Sequence, residues 1–301
     1  MNRTWISRRE FIEKVGLGVI GLVASAALGS ENTKTARTRR VIAMSDIHIG
    51  KVDDGQDGLY WLEQALADLD NNVPSIDYGL VLGDLTQNGY ADDLKKYIQR
   101  RDDSQIPAFY ELAGNHEYYN GNIEQYQTLI RSTDPYVKTD GNLTFFFMSD
   151  MEDSRSGQWT DASCDWLEAQ LEKYRDNVLI VCSHQLVPNT VRKSDDAPYC
   201  LDQGDRIKEI LEKYPIDLWL CGHEHHSPYT AEKITRKGNT TFINIASVSH
   251  AYWTGASGSI VMDFTEGSSE LHIRRRIHDN GTYPSAFELN VPLHVPCQLD
   301  N

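Results

Sequence analysis

Apolar residues along the chain fall into short blocks of two kinds. Five compact runs, Arg40–Ser45, Tyr78–Leu82, Ala108–Leu112, Val178–Cys182 and Ile216–Cys221, have the length and apolar density of buried strands. Helical spacing intervenes between them. Leu59, Leu62, Leu66 and Leu69 recur on one helical face, residues 90–101 read as a helix, and another is expected from Gly121 to about Ile130. The clearest helical face joins Trp166, Leu167, Gln170, Leu171 and Tyr174, with Thr160 or Asp161 as its cap. A further helix is expected over 203–213. Leu143–Met148 is β-rich, and Phe242–Val248, Gly258–Phe264 and Leu271–Ile277 continue as strands. In the last of these, alternation sends Arg275 to one face and Arg274 and Arg276 to the other, which predicts a solvated sheet face. Strands alternating with helices define an α/β class.

Each of the five runs ends in chemistry. The first stops at Asp46-Ile47-His48, the second at Gly83-Asp84, and the third at Gly114-Asn115-His116-Glu117. The fourth, Val181-Cys182-Ser183-His184, and the fifth, Gly222-His223-Glu224-His225, both close on imidazoles. Singly, these blocks are compatible with turn aspartates and ordinary histidines. Together they place carboxylate, amide and imidazole groups at the carboxyl ends of successive strands, where open α/β sheets have their functional crevice.

Composition narrows the reading. Forty per cent hydrophobic residues allow a sizeable core, and a formal net charge of -15 with no long Lys/Arg block argues against duplex nucleic acid as a partner. Cys164, Cys182, Cys200, Cys221 and Cys297 show no CxxC spacing, and Cys182 and Cys221 read as buried small hydrophobes. Near the N-terminus, Ser7-Arg8-Arg9-Glu10-Phe11-Ile12 precedes an uncharged run from Val15 to Leu28 and the small residues Ala24-Ser25-Ala26. This looks like a twin-arginine export signal, with Glu13 departing from the usual pattern. The run is shorter than the roughly twenty residues of a membrane span, so no stable span is expected. The expected organisation is a signal over 1–30, a linker over 31–39, one domain over 40–277 and a tail over 278–301, with a periplasmic or extracellular destination.

In order, the five blocks resemble the signature of the calcineurin-like metallophosphoesterases, D-x-H, G-D, G-N-H-[DE], V-x-x-H and G-H-x-H, over roughly residues 40–265. The resemblance implies a four-layer α-β-β-α sandwich of two mixed β-sheets flanked by helices. It also implies two divalent ions (Mn, Fe, Zn or Co), one held by Asp46, His48 and His225, the other by Asn115, His184 and His223, with Asp84 bridging. The implied reaction is hydrolysis of a phosphate ester, monoester or diester, by a metal-activated hydroxide. His116 would hydrogen-bond the phosphate or protonate the leaving oxygen. The alternative is an exported protein that binds metal or phosphate at the same site without turnover.

Departures from relatives sharpen this. The protein phosphatases of the family carry an Asp three residues after the bridging Asp, to orient the catalytic His. The purple acid phosphatases carry a Tyr ligand there and lack the first-block His. This chain has Gln87 and His48 instead, and Ser183-His184-Gln185-Leu186 lacks the glycines that follow the fourth block in protein phosphatases. Without a basic groove, small soluble phosphate esters are the expected substrates. Asn115, Tyr118 and Tyr119, His226, His250 and Trp253 are candidates to touch them. The loop Asp53-Asp54-Gly55-Gln56-Asp57-Gly58 reads as a solvated turn.

Overall fold

The computed structural model describes residues 36–149, 158–196, 199–225 and 227–300, which belong to one unit, Ala36–Asn301. The export signal read over residues 1–30 lies outside them. Among the described residues, no helix is long and apolar enough to cross a membrane.

The chain runs β1 (Thr38–Met44), the short hairpin β2 (Val52–Asp53) and β3 (Gln56–Asp57), α1 (Gly58–Asn72), β4 (Tyr78–Leu82), α2 (Ala91–Asp103) and β5 (Phe109–Leu112). A 3-10 turn at Asn115–Gly121 leads to α3 (Ile123–Leu129), β6 (Tyr136–Asp140), β7 (Leu143–Met148), α4 (Asp161–Lys173), β8 (Val178–Ser183), α5 (Gly204–Lys213) and β9 (Leu218–Cys221). The remaining strands are β10 (Ile234–Lys237), β11 (Thr240–Asn244), β12 (Gly258–Thr265), β13 (Glu270–Ile277) and β14 (Glu288–Pro292). Local chemistry sets the helix starts. The Asp57 side chain accepts from Leu59 N at the start of α1, and Thr160 with Ser163 forms a capping box for α4.

Two six-stranded mixed sheets result, in the orders β14-β13-β12-β1-β4-β5 and β10-β11-β9-β8-β7-β6. Within them β1, β4 and β5 run parallel, as do β7, β8, β9 and β11, so each parallel set delivers its carboxyl ends to one edge. The sheets face each other across a core that includes Val41, Leu80, Phe145, Ile180, Ile243 and Met262. Leu62, Leu66 and Leu69 of α1 and Leu94 and Tyr97 of α2 cover the outer face of the first sheet, against Ile42 and Val81. Leu167, Leu171 and Ile207 cover that of the second, against Phe146, Val181 and Trp219. This is the four-layer α-β-β-α sandwich, and the central strands β4, β7, β8 and β9 read as apolar runs because they are buried on both faces.

Two expectations are corrected. Residues 278–301, read as a tail outside the domain, pack onto it: β14 pairs with β13, Cys297 and Leu299 enter the inter-sheet core, and Asn142 N donates to Gln298 O. The arginines of β13 do not form a solvated face. Arg275 is 0% exposed, its guanidinium reaching Pro228 O and lying over the Phe287 ring. Arg276 is buried in a bidentate pair with Asp68 of α1, at 2.8 and 2.5 Å. Alternation was read correctly, but helix α1 and the 3-10 turn at Ser285–Phe287 cover what a bare strand would expose. All five cysteines are free and buried.

Candidate metal centre

The centre is assembled from turns that leave the strand ends under conformational strain. Asp46 (φ 57°), His48 (φ 51°), Asp84 (φ 54°) and His223 (φ 68°) all occupy left-handed backbone conformations, which cost non-glycine residues energy and cluster at functional sites. Gly83 makes the second turn possible. Its φ is +86°, and a Cβ there would come within 2.6 Å of His184 Nδ1 and 2.7 Å of Gly114 N. The turns are laced together: Ile47 N and His48 N both donate to Asp84 O, and Asp46 N donates to Gly83 O. Ser247 Oγ and Ser249 Oγ donate to Asp46 O at 2.8 and 3.0 Å.

The side chains converge in two groups that share Asp84: Asp46, His48, Asp84 and His225, and Asp84, His184 and His223. The candidate ligand atoms of each lie within 4.8 Å of one another. Asp46 Oδ1 lies 2.9 Å from His225 Nε2, and His48 Nε2 lies 3.6 Å from Asp84 Oδ2. His184 Nδ1 donates to Leu82 O at 2.7 Å, so in the neutral ring Nε2 is the ligand nitrogen. Nε2 lies 3.0 Å from Asp84 Oδ2. Atoms of these two types this close share a proton or a metal cation. His48 is fixed in the same tautomer, its Nδ1 donating to Gln87 Oε1 at 3.1 Å.

Protonation states agree with this arrangement. Burial opposes ionisation of Asp46 and Asp84, yet the histidines around them hold both carboxyls well below the usual range: chiefly His225 for Asp46, and His184 with His116 for Asp84. Burial, reinforced by His225, pushes His48 well below its ordinary value, and burial with His184 takes His223 down to about 3. Carboxylates and neutral imidazoles are the forms that bind divalent cations. Asp84 Oδ2 and Asn115 Oδ1 are buried with no hydrogen-bond partner among the described residues, a cost that a bound cation would remove. The residues fit a dinuclear site, and the mixed carboxylate, imidazole and amide set suits Mn, Fe, Zn or Co.

His116 sits over this floor, its ring centroid 4.6 Å from that of His48 and its Nε2 4.0 Å from Asp84 Oδ2. Its backbone N–H donates to Asp84 Oδ1 at 3.0 Å. The candidate substrate residues fare differently. Tyr118, expected at the mouth, is a buried core residue on the helix side of the first sheet; helical packing of the turn carries it inward. Tyr119 takes the position beside His116, with ring centroids 4.3 Å apart and its hydroxyl 3.4 Å from Asn115 Nδ2. His250 stacks on Trp61 at 3.6 Å, and its ring nitrogens face Asp279 (2.9 Å) and Asp54 (3.7 Å), which holds the loop. His226 lies outside the described residues.

Two participants were not singled out in the sequence. Glu117 is completely buried, its Oε2 accepting from Asp84 N and Gly114 N, each at 2.9 Å, and its Oε1 accepting from Thr86 N at 3.0 Å. It therefore holds the second and third turns in register; its place in the third block was the available signal. Tyr252 packs its ring against His48, His225 and His116, at 5.5, 4.9 and 6.3 Å. No motif marks it.

Known proteins match this picture. An uncharacterized metallophosphoesterase from Campylobacter jejuni is 32% identical over 113 residues, covering 36% of this chain and 28% of the relative. A purple acid phosphatase from yellow lupin (Lupinus luteus) seeds superposes with a TM-score of 0.59 at 17% identity, over 86% of this chain and 54% of the lupin chain. The chain thus spans about a quarter of one relative and about half of the other, and the second likeness is one of fold. The model of the calcineurin-like phosphoesterases matches residues 39–227. That span contains every candidate metal ligand, and the chain belongs to the calcineurin-like phosphoesterase family.

Proposed function

We propose that this protein hydrolyses small soluble phosphate esters at a dinuclear metal centre. The observation that carries the reading is the convergence of two ligand groups on one buried carboxylate, Asp84. Asp46, His48 and His225 would hold one cation, Asn115, His184 and His223 the other, and Asp84 would bridge. When bound, two divalent cations neutralise the phosphate oxygens and bring the pKa of a water towards neutrality. The protein's own groups do the rest. Gln87 and Leu82 hold His48 and His184 with Nε2 facing Asp84. His116, fixed through Nδ1, presents Nε2 to the ester as hydrogen-bond partner or proton donor to the leaving oxygen. Asn115 can bind both cation and substrate through its amide. Export to the periplasm or cell exterior by the twin-arginine-like signal belongs to the same proposal.

The test is hydrolysis of p-nitrophenyl phosphate, bis-p-nitrophenyl phosphate and cyclic AMP by metal-stripped protein, before and after restoring Mn, Zn, Fe or Co. Metal-restored turnover supports the enzyme. Two bound ions without turnover on any ester would point instead to a binding protein.

A further inference from the structure

Among the described residues, three tyrosine rings touch the histidines of the centre: Tyr119 on His116, Tyr199 on His223 at 5.4 Å, and Tyr252 on His48, His225 and His116. Tyr252 differs from the others in how it is held. Its backbone is in a left-handed conformation (φ 57°), which a bulky residue adopts only when its surroundings enforce it. The enforcing contacts are present. Tyr252 N donates to Asp53 Oδ2 at 3.1 Å, from the β2–β3 hairpin, and Gln87 Nε2 donates to Tyr252 Oη at 3.0 Å. Lys51 Nζ lies 5.0 Å from the ring. Despite these restraints Tyr252 is 40% exposed. A ring tied at both ends, strained in its backbone and open to solvent is positioned for something besides packing.

We propose that Tyr252 is a specificity-determining residue that stacks on a planar aryl or heteroaryl group of the phosphate ester. Gln87 acts as the positioning residue that fixes the ring over the centre. The proposal rests on the reading of the centre as a phosphoesterase site. With the phosphate over Asp84 and its leaving oxygen towards His116, the organic group leaves between Tyr252 and Tyr119, the two rings packed against His116. Aromatic faces favour a flat ring through offset stacking, and the hydroxyls at their edges admit a polar heterocycle. A substrate with a small aliphatic group gains nothing there.

The experiment measures binding, so it does not depend on turnover. Phenylphosphonate and methylphosphonate, which carry no ester to cleave, are titrated calorimetrically into Mn-reconstituted wild-type protein and the Tyr252→Phe and Tyr252→Ala variants. Phenylphosphonate is expected to bind wild type about fivefold more tightly than methylphosphonate, the size of one stacking contact. The preference should persist in Tyr252→Phe and vanish in Tyr252→Ala, with methylphosphonate affinity unchanged throughout. Equal affinities in wild type, or an unchanged ratio in Tyr252→Ala, overturn the proposal. So does an equal loss of both ligands in Tyr252→Ala, which would make Tyr252 a support of the centre. Ester hydrolysis is assayed separately: discrimination between the phosphonates without any turnover would sink the phosphoesterase reading and leave the stacking role standing.

Discussion

His116 Nδ1 lies 2.8 Å from the main-chain carbonyl oxygen of Gln87. A carbonyl only accepts, so Nδ1 carries a proton, and Nε2 (a lone pair in the neutral ring, an N–H in the imidazolium) is the nitrogen left to face the centre. Sequence comparison left this residue without an orienting partner, because the position that carries Asp in the protein phosphatases is glutamine here. The structure supplies the same constraint from the backbone of that very residue, while its side chain fixes His48.

Replacing His116 with Ala should therefore lower kcat by about 10²–10⁴-fold, the usual share of positioned acid–base catalysis, while both metals stay bound. Metal content by mass spectrometry alongside kcat checks this. Loss of metal in the variant would show that His116 is a ligand. Gln87→Ala should leave the orientation of His116 intact, since the carbonyl remains.

Asp84→Asn should abolish turnover, with a loss of at least about 100-fold, beyond what outer partners of a metal site contribute. Asp84 is the one residue common to both ligand groups, so the bound metal should fall as well. Near-normal kcat in this variant would remove the bridging assignment.

Glu117→Gln tests a residue that touches no candidate ligand atom. The Glu117 carboxyl oxygens accept from three backbone N–H groups, and an amide would turn its NH₂ towards some of them. The expected cost is about 1–3 kcal/mol of stability for the buried donors left unsatisfied. Urea denaturation measures it, and metal affinity should fall about 10–100-fold.

The pair between Asp68 and Arg276 is buried, and His278 Nδ1 adds a contact to Asp68 at 2.8 Å. Removing Arg276 strands a buried carboxylate, so Arg276→Met should cost about 3 kcal/mol or more in chemical denaturation. Its printed partners, Asp68, Gly281 and Tyr283, include no candidate ligand, which predicts unchanged kcat per folded molecule.

His294 offers a pH test. Its hydrogen bond to Asp217, at 2.8 Å, raises its pKa above the ordinary 6.5 despite partial burial. The native state thus holds the proton more tightly than the unfolded chain. The stabilisation is fully present below pH 6.5 and is lost as pH rises through the native pKa. Thermal unfolding from pH 5.5 to 8.5 should show wild type losing its advantage over His294→Gln across that window, and parallel curves would refute the linkage.

Much of this molecule was legible before any coordinates. The strand ends carried the chemistry in plain order, and Thr160 announced helix α4 because capping is a local hydrogen bond. Tyr118 and Arg276 were misread because their burial depends on what covers them. A strand's alternation says which face a side chain takes, not whether Asp68 of a distant helix waits there. The final strand β14 was missed for the same reason: Glu288–Pro292 lacks an apolar run and is a strand only because β13 offers it an open edge.

The sequence by itself determined the fold class and the residue types gathered at the sheet edge, because periodicity and block order are written in single residues and their spacing. The tertiary structure alone decided the tautomers of His48, His116 and His184, the bracing by Glu117 and the placement of Tyr252. Those depend on main-chain atoms and on partners far apart along the chain, which meet only when both sheets have packed.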